Sequence, residues 1–78
     1  MSDKPRILCV DDEPDLLDGL RLSLRKLYRV SIATSGPDGL AGFDEAAAAG
    51  TPYDAVVSDM RMPQMNGAEF LTEIYRRE

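Results

Sequence analysis

Apolar positions along the 78-residue chain follow two alternating periods. Arg6-Ile-Leu-Cys-Val10 is almost wholly apolar and stops abruptly at Asp11-Asp12. Such a run predicts a strand buried on both faces, as in a parallel sheet. Leu16, Leu17, Leu20, Leu24 and Leu27 then advance in three- and four-residue steps, the stripe of an amphipathic helix. Pro14 suits the first turn of that helix, and Asp15 favours its positive end. Tyr28, Val30 and Ile32 alternate with Arg29 and Ser31, which predicts a half-exposed strand at a sheet edge.

Ser35-Gly-Pro-Asp-Gly opens a second helix, with Ser35 as its cap and Pro37 near its start. Leu40, Phe43, Ala46 and Ala47 form the predicted buried stripe, and Gly50 with Pro52 ends the helix. Asp54-Ala-Val-Val-Ser58 is a short β-branched strand, again closed by a carboxylate, Asp59. Asn66-Gly-Ala-Glu69 has the spacing of a capping box, with Met65 and Phe70 at staple positions. Phe70, Leu71 and Ile74 supply the apolar face of this third helix. Strands alternating with helices over short connections predict right-handed crossovers and a parallel sheet covered on both faces.

Composition narrows the function. With 44% hydrophobic residues the chain is globular, and nine Lys and Arg against fourteen Asp and Glu leave a net charge of −5. That balance argues against nonspecific binding to nucleic acid or to an anionic membrane. One cysteine, Cys9, and no histidine exclude an internal disulfide, a thiol- or imidazole-based zinc site and histidine-assisted nucleophiles. Cys9 reads as an inert buried thiol, and Met62 and Met65 as packing residues. No apolar run is long enough to cross a bilayer, and Met1 to Arg6 lack the apolar stretch of a secretory signal. The expectation is a soluble cytoplasmic domain.

The candidate chemistry lies in carboxylates. In open α/β sheets ligands gather beyond the carboxyl ends of the strands. Asp11 and Asp12 end the first strand and Asp59 ends the third, so neighbouring strands would bring three acids together. Either member of the pair alone fits helix capping as well as it fits chemistry. The trio, without His or Cys, suits a hard cation such as Mg²⁺.

Val10-Asp11-Asp12-Glu13-Pro14 together with Val56-Val57-Ser58-Asp59-Met60-Arg61-Met62-Pro63-Gln64-Met65-Asn66-Gly67 resembles the receiver domain of two-component response regulators. The resemblance covers essentially the whole chain. It implies a flavodoxin-like, doubly wound parallel α/β sheet, here truncated to three strands in the order 2-1-3, each followed by a helix. It implies that Asp59 is the phosphoacceptor, receiving a phosphoryl group from a sensor histidine kinase or phosphotransfer protein. Mg²⁺ would be held by Asp11, Asp12, Asp59 and the backbone carbonyl of Arg61, with Asp12 the more direct ligand. The domain would accept phosphate without turnover, and so is not expected to be an enzyme. Its output domain and pathway are not legible.

The resemblance also implies a Ser or Thr after a fourth strand and a Lys after a fifth, which residues 1–78 do not contain. Lys4 and Lys26 lie in the wrong segments to replace that lysine. Residues 1–78 are therefore expected to be the N-terminal part of a receiver, either within a larger chain or assembled with a second copy. In the second case the third strands would pair edge to edge across a twofold axis. The alternative function is a phosphorylation-independent interaction or dimerisation half-domain derived from a receiver. A magnesium phosphatase of the aspartyl type fits less well, because Arg61 stands where a second acid is wanted.

Overall fold

A computed structural model describes residues 4–77. Met1 to Asp3, part of the opening read for a secretory signal, and Glu78 lie outside them. The elements are β1 (Arg6–Val10), α1 (Pro14–Leu24), β2 (Arg29–Ala33), α2 (Gly36–Ala48), β3 (Ala55–Ser58) and α3 (Gly67–Arg76). The three strands are parallel in the order β2-β1-β3, so the most apolar strand is central.

Alternation along β1 divides the core in two. Ile7 and Cys9 pack with Leu17 of α1 on one face. Leu8 and Val10 pack on the other face with Leu40 and Phe43 of α2, Met62, and Phe70 and Ile74 of α3. Phe70 and Leu17 are wholly shielded from water, and burying a side chain of that size stabilises by about 1.5–3 kcal/mol. As expected, β2 lies at an edge of the sheet, but it starts at Arg29, so Tyr28 precedes it and packs half-buried on the α1 side.

Three expected burial patterns change. Leu17 alone of the leucine stripe is fully buried; Leu16 is 50% exposed, and Leu27 lies beyond the end of α1 and is 68% exposed. Among the described elements α1 is alone on its sheet face, so only the side chain aimed at the strands loses all its water. In α2, Gly39 is buried and Ala47 exposed, because the face turned inward carries Gly36, Gly39, Leu40, Phe43 and Ala46. A Cβ on Gly39 would stand 2.8 Å from Phe70 and 2.9 Å from Val10. Leu71, expected on the apolar face of α3, is 38% exposed, because Phe70 and Ile74 take the positions against the sheet.

The register of β3 is fixed at its start. Arg6 N–H donates to Asp54 Oδ2 at 2.8 Å, and Asp54 N–H donates to Arg6 O at 2.7 Å. Arg6 Nε donates to Thr51 O at 3.0 Å, and its guanidinium lies 5.2 Å from the centre of the Tyr53 ring, which stacks on Phe43. A one-residue slip would turn Val56 out of the core and move Asp59 with it.

Candidate functional site

Both ladders run one residue past the strand ends. Asp11 N–H donates to Ala33 O at 3.1 Å, and Asp59 N–H donates to Val10 O at 2.9 Å. Since Val10 pairs with Ser58, the next residues, Asp11 and Asp59, stand side by side on adjacent strands. One carboxylate oxygen from each of Asp11, Asp12 and Asp59 lies within 4.8 Å of the others. Asp11 is buried, Asp59 half-buried and Asp12 exposed.

The capping reading of the Asp pair does not hold. The N-cap of α1 is Glu13, without a side-chain cap bond, followed by Pro14. Asp11 instead accepts from Glu13 N–H through Oδ1 at 2.9 Å, a local turn that holds its carboxylate at the sheet edge.

The loop after β3 is pinned at several points. Ser58 Oγ donates to Asp59 O at 2.9 Å, and Gly67 N–H donates to Met60 O at 3.2 Å. Met65 N–H donates to Pro63 O at 2.7 Å across Gln64, whose φ of +70° makes this a γ-turn. Met62 is buried in the core, and Met65 packs on Gly36 so closely that a Cβ there would stand 2.8 Å from its sulfur. The capping box of α3 forms as expected: Asn66 Oδ1 accepts from Glu69 N–H at 2.8 Å, and Glu69 Oε1 accepts from Asn66 N–H at 3.0 Å. These anchors leave Met60 and Arg61 exposed immediately after Asp59.

Two ionised carboxylates this close repel by on the order of 3–4 kcal/mol at an effective dielectric near 20, so the trio calls for a counter-cation. The donor set is all oxygen, which a hard divalent ion prefers. Oxygens bound directly to one Mg²⁺ stand at most about 4.2 Å apart, so a 4.8 Å spread fits direct contacts combined with a bridging water. The chemistry of the residues thus fits Mg²⁺. Cys9 lies just behind the site but is 1% exposed, and burial pushes its thiol above the ordinary range, so it takes no part.

Sequence reasoning brought out all three acids but not the contact of Gly67 with Asp59 or the turn made by Asp11. Gly67, with Pro63, read only as turning the chain from strand into helix. Its second role, letting the backbone pass close to Asp59, has no local signature.

Fold and site define a doubly wound α/β domain of the flavodoxin-like class, with an acidic pocket at the carboxyl ends of β1 and β3. The chain belongs to the response regulator receiver domain family, whose model matches residues 7–78. It is 38% identical over 69 residues to the transcriptional regulatory protein QseB of Haemophilus influenzae, covering 87% of this chain and 29% of that protein. It is 40% identical over 79 residues to GlrR of Escherichia coli, covering 97% of this chain and 16% of the relative. Among solved structures, a response regulator receiver domain protein from Clostridium thermocellum superposes with a TM-score of 0.85 at 32% identity, over 94% of this chain and 56% of the other. The chain thus spans under a third of those two regulators and just over half of that solved structure.

Proposed function

We propose that Asp59 accepts a phosphoryl group from the phosphohistidine of a sensor histidine kinase or phosphotransfer protein. Asp11, Asp12, Asp59 and the backbone carbonyl of Arg61 would hold Mg²⁺. The observation that carries this reading is the convergence of three carboxylates from two strand ends within 4.8 Å. Phosphoryl transfer asks the protein for an in-line nucleophile and for neutralisation of charge on the transferring oxygens. A carboxylate oxygen of Asp59 forms the new O–P bond as the P–N bond to the donor imidazole breaks, and that nitrogen keeps the electron pair. Asp11 and Asp12 keep the pocket anionic enough to retain the metal, which supplies the positive charge that phosphate oxygens need. Asp59 is held for attack by its backbone bond to Val10 and by the pinned loop behind it. The reaction is stoichiometric, and the domain works as a cytoplasmic signalling part.

The test is incubation with acetyl phosphate and Mg²⁺ followed by intact-mass spectrometry. The chain should gain one phosphoryl group, and Asp59→Asn, or wild type in EDTA, should gain none. A wild type that gains no mass under these conditions overturns the proposal.

A further inference from the structure

Charge in this fold is sorted by the ends of the strands. Each parallel strand is followed by a helix that runs back, so helix N-termini gather with the carboxyl ends of the strands. Acids stand in the first turns of all three helices, Asp15, Asp38 and Glu69, around the trio of Asp11, Asp12 and Asp59. Cations stand at the opposite end. Lys4, Arg6 and Arg29 lie at strand starts, and Arg21 and Arg76 lie in the last turns of α1 and α3. Arg61 is the exception: it lies two residues past Asp59, in the loop at the acidic end.

The loop fixes Arg61 from both sides. Met60 O accepts from Gly67 N–H at 3.2 Å, and Met62 is buried in the core. Between these anchors the Arg61 backbone is held, while its guanidinium is tied to no other described residue. Two residues span at most about 7.6 Å between Cα atoms, so the long side chain has the trio within its reach. Without a metal, three carboxylates whose oxygens lie within 4.8 Å of one another attract a neighbouring cation. With a divalent ion in the pocket, the same guanidinium repels that ion. One charge therefore acts in opposite directions on the empty and the filled pocket. This requires only that Arg61 stands beside the trio, not that it is the sole cation there.

We propose that Arg61 is the built-in counter-cation of the acidic pocket. It offsets the repulsion among Asp11, Asp12 and Asp59 and competes with a divalent ion for them. Arg61 thereby sets the metal concentration at which the pocket fills. The proposal rests on the trio being a metal site and adds the residue that tunes it. An arginine that was merely solvated would produce neither effect.

Calorimetric titration with MgCl2, and melting curves in EDTA, test this on the whole chain at low salt without any phosphoryl transfer. Each variant keeps the backbone carbonyl assigned to the metal. Arg61→Gln should bind Mg²⁺ about three- to ten-fold more tightly than the wild type. In EDTA it should melt below the wild type, the opposite direction. Arg61→Lys, which keeps the charge, should match the wild type in both measurements. At about 1 M salt the difference in Mg²⁺ affinity should shrink below about two-fold. In an Asp12→Asn background the EDTA melting difference should also shrink, because part of the negative charge that Arg61 answers is gone. Circular dichroism should be unchanged throughout. Equal Mg²⁺ affinity of wild type and Arg61→Gln, or an Arg61→Lys that behaves like Arg61→Gln, overturns the proposal and leaves the metal site standing. Absence of Mg²⁺ uptake by all three proteins overturns both.

Discussion

Gly67 lies against the backbone of Asp59. A Cβ at position 67 would overlap the Asp59 carbonyl oxygen and stand 2.8 Å from Met60 Cα. The neighbours are main-chain atoms that cannot rotate away, so even a methyl group forces the loop to move. Gly67→Ala should destabilise the domain by about 1–3 kcal/mol, read as a lower urea midpoint at unchanged slope. It should also reduce phosphorylation of Asp59, since the displaced carbonyl belongs to that residue.

The acid trio predicts a metal-dependent stability. Saturating Mg²⁺ at about a hundred times its Kd should stabilise the wild type by about 2.7 kcal/mol, seen as a higher Tm than in EDTA. Asp12→Asn should lose most of that gain. In EDTA it should melt above the wild type, because one source of repulsion is gone. A Tm equally insensitive to Mg²⁺ in both proteins would count against a metal at this site.

Two neighbouring leucines offer a test of the α1 packing. Leu17 has no exposed surface, whereas Leu16 is half exposed. Leu17→Ala should cost about 2–5 kcal/mol and Leu16→Ala under about 0.5 kcal/mol in denaturant unfolding.

Asn66 closes the N-terminus of α3 with both bonds of the capping box. Asn66→Ala should cost about 1 kcal/mol by the same measurement. It should raise amide exchange in the first turn of α3 and leave α1 and α2 unchanged.

Burial raises the Cys9 thiol pKa, so thiolate forms more readily in the unfolded chain than in the folded one. The stability this contributes is fully present below the ordinary thiol value of about 8.5 and is lost as pH rises through the higher folded value. Cys9→Ser should therefore flatten the alkaline fall in stability. At neutral pH a thiol reagent should label Cys9 only as fast as the chain opens.

What could be read directly from the chain were the features that depend on near neighbours. The strand-helix order, the Ser35 and Asn66 caps, Pro14 in the first turn of α1 and the acids at two strand ends all follow from spacing and local backbone chemistry. The three-strand order and the convergence of Asp11, Asp12 and Asp59 followed once the resemblance to a receiver supplied the topology.

Other features depended on how the pieces roll against one another. A leucine stripe shows that α1 has an apolar side but not which leucine points at the sheet, and burial singled out Leu17. Ala47 left the expected buried stripe and Gly39 joined it, where the approach of Phe70 admits no side chain at position 39. Asp11's turn to Glu13 is local but competes with capping of α1, and Gly67 came against Asp59 only as the loop from β3 folded back to start α3. Periodicity and capping are short-range and are written in consecutive residues. Helix roll and backbone approach minimise packing energy over segments distant in sequence, so they exist only once the sheet has assembled.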